Sequence, residues 1–362
     1  MDRISEIWFR VQRCLFQVEE SLPPLTERHR RLVSVLEVVR VEEYVAGSHL
    51  QWLGRRRKDR KALARAFVAK ACYNLATTLA LVERLQADKT LRQLCGWELR
   101  NQVPSESTFS RAFGEFAQGG LPDRVHEALV KGCLGDDVVW HISRDSTEAD
   151  ARERPVAKEP KQAKPKFRCG RPPRGEVRPA KEPTRMERQY NQSVVEAIAE
   201  LPTVCDVGTK IDSKGSKRHW VGYKLHVDIG DGGIPLSALT TSASVHDSQV
   251  AIPLMRMTAD RVKSWYDLMD SAYDAELIHK LSRELGHVPI IDPHNRRGKA
   301  APLEPDRARR YRERTAAERF NARLKDACGG RMIRVRGHKK VHTHLMFGVL
   351  VIFAETLLGL VT

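Results

Sequence analysis

"HWVGYKLHVDI" (219–229) is the stretch on which the fold turns. Val221, Tyr223, Leu225 and Val227 alternate with Gly222, Lys224 and His226, the two-residue period of a half-buried strand. Nothing before residue 136 has that period. Residues 61–86 place Leu63, Phe67, Cys72, Leu75, Leu79 and Leu81 at helical spacing, and Pro23-Pro24, Gly47, Gly54, Pro104 and Gly119-Gly120 punctuate an otherwise helix-forming run. Residues 1–135 therefore read as an all-α part. Downstream of 229, "IPLSALTTSA" (234–243), "SWYDLMD" (264–270) and "VPIID" (288–292) read as strands. "DSQVAIPLMRMTAD" (247–260) and "AELIHKLSREL" (275–285) read as helices between them. One earlier strand, "DVVWHISRD" (137–145), belongs to the same group. The order strand, insertion, two strands, helix, strand, helix, strand, helix implies a mixed α/β sheet with helices packed on it.

The insertion is set by composition. Between Asp150 and Tyr190 there are 13 Lys/Arg, 6 Asp/Glu and 7 Pro with almost no large aliphatics, so this stretch cannot bury a core and reads as a flexible basic segment, at about 150–210. The division that follows is 1–135, helical, and 136–362, α/β. Removal of 1–135 is expected to leave the remainder folded.

Over its 362 residues the chain carries 62 Lys/Arg against 46 Asp/Glu, a net charge of +16, which predicts a polyanionic partner, in the first place nucleic acid. Its apolar fraction of 41% excludes wholesale disorder. Seven scattered cysteines with no CxxC pair suggest neither a zinc site nor a disulfide framework, and fit a reducing cytosol. "MDRISEIWFR" has charges where a signal peptide needs an apolar run. The longest apolar stretch, Leu345 to Ala354, is too short to span a bilayer and reads as a buried helix, so no membrane partner is expected.

Two carboxylates stand at the ends of predicted strands: Asp145 closes "VVWHISRD" and Asp270 closes "WYDLMD". Asp267 and Asp274 flank Asp270, and position alone does not rank the three. A third candidate comes from "YRERTAAERFNARLK" (311–325). On a continuous helix Tyr311, Arg314, Glu318 and Lys325 fall within an arc of about 60°, while Ala316, Ala317, Phe320, Leu324 and Ala327 fall on the opposite side. A salt-bridged surface helix would give the same pattern. Acidic oxygens from separate elements suit a hard cation such as Mg²⁺, and in a basic chain they make a two-metal phosphoryl-transfer site plausible.

The spacing Y-(2)-R-(3)-E-(6)-K at Tyr311, Arg314, Glu318 and Lys325 resembles the signature of a group of bacterial insertion-sequence DDE transposases. So do "CDVGTKIDSKGSKRHWVGYKLHVD", "IPLSALTTSASVHDSQVAIPL", "YDLMDSAYDA" and "GGRMIRVRGHKKVHTHLMFG"; the resemblance spans about residues 137–353, with a weaker echo in "LRQLCGWELRNQVPSESTFSRAF". It implies an α/β ribonuclease H-like catalytic domain with a mixed five-stranded sheet. It also implies catalytic, metal-binding Asp145, Asp270 and Glu318, with Asp270 preferred over Asp274. Two Mg²⁺ ions, replaceable by Mn²⁺, are expected with them. The implied reaction hydrolyses the element's end and lets the freed 3′ hydroxyl attack target DNA. Tyr311, Arg314 and Lys325 match positions that hold the transposon end, and sharing a face with Glu318 would let them meet phosphate oxygens or a displaced base. Double-stranded DNA, a homodimer on paired ends and a bacterial, nucleoid-associated cytoplasmic location are implied with them. A transposase-derived binding protein, or a nuclease on the same fold without strand transfer, are the other readings.

Further DNA contacts are expected from Arg331, Arg334, Arg336, Lys339 and Lys340, after Gly329-Gly330, and from the run "RRRKDRK" (55–61). "PSESTFSRAF" (104–113) reads as the second helix of a helix-turn-helix, with Ser105 as cap, Phe109 and Phe113 inward, and Ser107, Thr108 and Arg111 toward a groove. Asp247 reads as an N-cap, His342 and His344 as core or interface residues, and Trp220 and Lys224 as either core or DNA-facing.

Overall fold

A computed structural model describes residues 3–22, 24–45, 58–135, 137–157, 182–211, 215–293 and 303–360. Among its described residues the N-terminal part forms seven α-helices: α1 (Arg3–Ser21), α2 (Glu27–Val39), α3 (Arg60–Cys72), α4 (Thr78–Ala87), α5 (Lys89–Cys95), α6 (Glu106–Gln118) and α7 (Leu121–Leu134). Their starts follow local chemistry. Thr26 and His29 form a capping box on α2, and the Thr77 and Asp88 side chains accept amide hydrogens at the starts of α4 and α5. The first strand, β1 (Val138–Asp150), follows at once.

Of the stretch read as a flexible insertion, 158–181 lies outside the described residues. Residues 182–211 carry two short helices, α8 (Arg185–Asn191) and α9 (Val194–Ala199), both opened by Ser/Thr–Glu capping boxes, and the strand β2 (Asp206–Ile211). Then come β3 (Lys217–Ile229), β4 (Pro235–Ser242), α10 (Ser248–Ala259), β5 (Lys263–Met269), α11 (Glu276–Glu284), β6 (Val288–Ile291), α12 (Pro305–Tyr311), α13 (Thr315–Ala327) and α14 (His338–Gly359).

The sheet has six strands among the described residues, not five. β3 pairs antiparallel with β1 on one edge and with β4 on another, while β1, β5 and β6 run parallel. Those five strands make the mixed sheet of a ribonuclease H-like domain. The sixth, β2, pairs with the first half of β3, from Asp206↔Gly222 to Ile211↔Lys217. β3 is 13 residues long, too long for β4 to cover, and its exposed N-terminal half is where β2 adds.

α14 ties the molecule together. It is long and apolar enough to cross a membrane by length and composition, yet most of it is buried inside this protein. It packs on α2, α3, α6 and α7 on one side and on β4 and α13 on the other. Phe347 meets Phe67 and Phe113, and Phe353 meets His126 edge-on at 5.7 Å. One apolar core therefore runs from Val11 and Leu32 through Leu63 and Val125 to Leu225, Phe320 and Leu350. Residue 135 marks a change of secondary structure, and the core does not break there. Without the N-terminal helices, one flank of α14 would face water.

Gly348 sets the distance between α13 and α14. A Cβ there would lie 2.6 Å from Leu324 Cδ1 and 2.7 Å from the Cys328 carbonyl, so only glycine lets the two helices approach this closely.

Candidate active site

Asp145 does not end its strand. β1 continues five residues beyond it, paired with β3 from Ser143↔Ile229 to Asp150↔Gly222. What ends near Asp145 is the parallel pairing with β5, whose last pair is Ser143↔Leu268. Asp145 thus stands two residues past that pair, and so does Asp270, which begins the 3₁₀ turn Ser271–Tyr273 and accepts the Ala272 amide at 3.0 Å. Two strands that part here leave two carboxylates at their fork, as at the strand ends of other open α/β sheets.

The electrostatics record how close they are. Burial, and then Asp270 and Asp247 beside it, push the Asp145 carboxyl up to about 6, against the Ser146 amide and Arg314. Burial, with Asp247 adding to it, raises Asp270 as well. Asp247 itself is held low despite burial, by His226 and by Lys224, whose Nζ lies 2.9 Å from its Oδ1. It occupies the N-cap position of α10 but caps nothing, because its carboxylate is spent on Lys224 instead. The N-cap reading of Asp247 is corrected accordingly.

On the opposite face of β1, Arg144 is fully buried. It donates to Asp228 Oδ2 at 2.6 Å and lies 3.8 Å from Asp267. Thr258 also donates to Asp228, while Ser282 and His287 bond Asp267. This network clamps β1, β3 and β5 behind the fork and accounts for Asp267 as a structural residue. Asp274 pairs with His279 at 3.1 Å.

The segment 311–325 is not one continuous α-helix. α12 ends at Tyr311, a 3₁₀ turn covers Arg312–Arg314, and α13 starts at Thr315. With three residues per turn, Tyr311 and Arg314 stack directly instead of lying about 60° apart. The Arg314 guanidinium sits 5.6 Å from the Tyr311 ring centre. Burial, with Asp292 and Asp270 adding to it and Arg314 opposing, pushes the Tyr311 hydroxyl up to about 12. The apolar face is as read: Ala316, Ala317, Phe320 and Leu324 are buried and Ala327 is partly so.

Glu318 is 52% exposed and bonded to Arg314 at 2.5 Å, so it stands apart from the Asp145–Asp270 pair. Among the described residues no three His, Cys, Asp or Glu side chains are placed to hold a metal ion. The link to the fork is Asn321, one turn after Glu318, whose Nδ2 donates to Asp145 Oδ2 at 3.0 Å. Its Oδ1 and the Tyr273 hydroxyl are buried without a partner. Two crowded carboxylates that resist ionisation and two orphaned hard oxygens beside them are a donor set that suits a hydrated divalent cation.

Lys325 reaches Glu148 Oε1 at 3.2 Å, which Arg218 also contacts. Arg334, Arg336, Lys339 and Lys340 are exposed, Lys339 bonding Gln118 at 2.8 Å, while Arg331 pairs with Asp326. Arg111 is exposed on α6 beside Thr108, with Phe109 and Phe113 buried. Ser105 precedes α6 without capping it and turns to Ser107 and Thr108. In "RRRKDRK", residues 55–57 lie outside the described residues; Asp59 caps α3 and Arg60 binds Glu115. His342 bridges Asp123 and Thr240, and His344 bonds the Gly329 carbonyl, as interface residues do. Trp220 is buried.

Comparison with domain families gives two matches, a transposase DDE domain over residues 202–354 and a transposase domain (DUF772) over 16–115. The chain belongs to the insertion-sequence DDE transposases. Comparisons with curated proteins and with solved structures gave no match. The DDE match takes in Asp270 and the whole 311–325 segment of this transposase but begins after Asp145. Asp145 therefore rests on the sheet, which sets β1 beside β5. Asn321 and Glu148 escaped the sequence reading, and Asp247 entered it only as an N-cap. A signal existed for Asn321: at about 280° on the helix circle it adjoins the polar arc. Asp247 and Glu148 gain their partners only through the sheet.

Proposed function

We propose that this transposase cleaves the ends of an insertion sequence and joins the freed 3′ ends to target DNA. Asp145, Asp270 and Glu318 are the catalytic carboxylates in this reading. The observation that carries it is the fork itself, with Asp145 and Asp270 side by side beneath the helix that presents Glu318. When bound, two Mg²⁺ ions, or Mn²⁺ in their place, would supply activation of the attacking oxygen and stabilisation of the leaving one. Asp145 and Asp270 would anchor them, and Glu318, released from Arg314, would complete the set. Arg314 then faces a DNA phosphate in place of the Glu318 carboxylate. Tyr311 stays protonated at neutral pH, which suits it to donate a hydrogen bond to phosphate or to stack on a base. Lys325 exchanges Glu148 for the same backbone.

Residues 1–135 are the part that reads the terminal repeats, through α6 and Arg111. Residues 136–362 carry the chemistry, and Arg334, Arg336, Lys339 and Lys340 follow the backbone. A homodimer on paired ends, working on nucleoid DNA in the bacterial cytoplasm, completes the reading. Glu318→Gln tests it. End cleavage in Mg²⁺ should vanish while end binding stays within a few fold. Cleavage that survives the substitution in purified protein removes Glu318 from the catalytic set.

A further inference from the structure

Behind α13, residues 329–336 and the first turns of α14 face α3, α4 and α6 across a cleft of about 400 Å³. Its two walls are fixed to each other. Asn74, in a left-handed conformation after α3, donates to the Asp326 carbonyl at 2.8 Å and accepts the Gly329 amide at 2.9 Å. Four exposed cations line the opening: Arg152, Arg334, Arg336 and Lys340. On the α3 wall lies Lys70, only 8% exposed.

Among the described residues, Lys70 is a buried ammonium with no carboxylate bonded to it. Its one hydrogen bond among the described residues runs to the Ala76 carbonyl at 3.5 Å, at the outer limit for such a bond. Burial drops its pKa to about 8. His344, on the α14 wall, is pushed down to about 4 by burial and by Lys70. Carboxylates are not scarce nearby, since Arg60 makes a two-pronged bond to Glu115 on the same helix α6. Yet among the described residues none of the five cleft cations makes an ion pair, and Glu106 is the one carboxylate in the lining. A buried charge without a partner is costly, and so is a set of like charges around one concavity. An anion entering the cleft offsets both.

We propose that this cleft is a phosphate-binding notch for the DNA backbone, with Lys70 as its buried cation and Arg334, Arg336 and Lys340 as its rim. The proposal rests on the reading of the chain as a DNA-binding transposase and adds a place and a purpose to it. One wall belongs to the helices that precede the sheet and the other follows the catalytic helix directly. A single backbone segment held there would set the register between end recognition and the carboxylate fork.

The test uses the full chain and a random-sequence DNA duplex, with affinity measured against salt concentration. Lys70→Met keeps the shape of the side chain and removes the charge. It should weaken binding about tenfold or more at low salt and reduce the slope of log K against log salt by about 0.9, the loss of one phosphate contact. Lys70→Arg should restore the slope. Without DNA, Lys70→Met should melt above the wild type, which a merely structural role would not give. Arg334→Gln with Arg336→Gln, both at exposed positions, should lower the slope by about 2 and does not depend on how the core tolerates a change.

Wild-type slopes retained in Lys70→Met and in the double variant overturn the notch while leaving DNA binding intact. A wild type with no salt-dependent duplex binding refutes the DNA reading itself. Inorganic phosphate alone serves as the second probe. If millimolar phosphate stabilises the wild type but not Lys70→Met, and the duplex shows no dependence on Lys70, the notch serves a free phosphate compound and the backbone assignment falls.

Discussion

Asp145→Asn separates the site's chemistry from its architecture. In the folded chain the Asp145 carboxyl titrates near 6 instead of at 3.8, chiefly because it is buried, with Asp270 and Asp247 beside it. A folded-state pKa above the unfolded one means that the native state holds the proton more tightly. Its contribution is therefore fully present below about pH 4 and is lost as pH rises through 6. At neutral pH the ionised carboxylate costs the metal-free fold about 2–3 kcal/mol. Asparagine is isosteric and neutral, and by turning its amide it can still accept from Asn321 Nδ2. Metal-free Asp145→Asn should then be more stable than the wild type by about 2–3 kcal/mol at pH 7.5 and by almost nothing below pH 4. Urea denaturation in EDTA across pH 4–8, followed by circular dichroism, measures this directly. Added Mg²⁺ should reverse the order, stabilising the wild type and leaving the variant unmoved. A variant less stable than the wild type at pH 7.5 in EDTA, or a difference constant across pH, would show that Asp145 is a structural residue satisfied by Asn321, and the fork would lose its first ligand.

Three further expectations follow from contacts around the site. Glu148→Gln frees Lys325 and Arg218 from their shared carboxylate, and should tighten random-duplex binding a few fold while steepening its salt dependence by about 1–2 in slope; unchanged binding would show that neither cation meets DNA. Gly348→Ala drives a methyl group into Leu324 and the Cys328 carbonyl, so about 1–3 kcal/mol of stability should go, and end cleavage should fall with it as α13 shifts. Retained stability in urea would mean that α13 and α14 separate freely. Removal of residues 1–135 bares the flank of α14 that Phe67, Phe113 and His126 cover, so the truncated chain should aggregate or bind a hydrophobic dye. A monomeric, cooperatively melting 136–362 fragment would refute the shared core.

Period and spacing alone determined much of this protein. The strand alternation of 219–229 and the apolar side of 315–327 depend on near neighbours in the chain, and they are what the structure contains, while the 3₁₀ turn at Arg312–Arg314 interrupts the continuous helix on which the Tyr311, Arg314, Glu318, Lys325 interval was laid. The errors have one cause. Asp145 read as a strand end because its neighbours in sequence do not reveal that β3 pairs onward to Asp150 while the pairing with β5 stops at Leu268. Asp247 read as a cap because Lys224, 23 residues earlier, becomes its partner only when β3 is laid in the sheet. Helices give way to strands at 135, and only the tertiary structure shows that α14, two hundred residues later, returns to pack on the helical core. Local sequence sets which face of each element is apolar. Tertiary structure decides which faces meet, and so it alone placed Asp145 beside Asp270, Asn321 beneath Glu318 and Lys70 in a cleft where, among the described residues, it makes no ion pair.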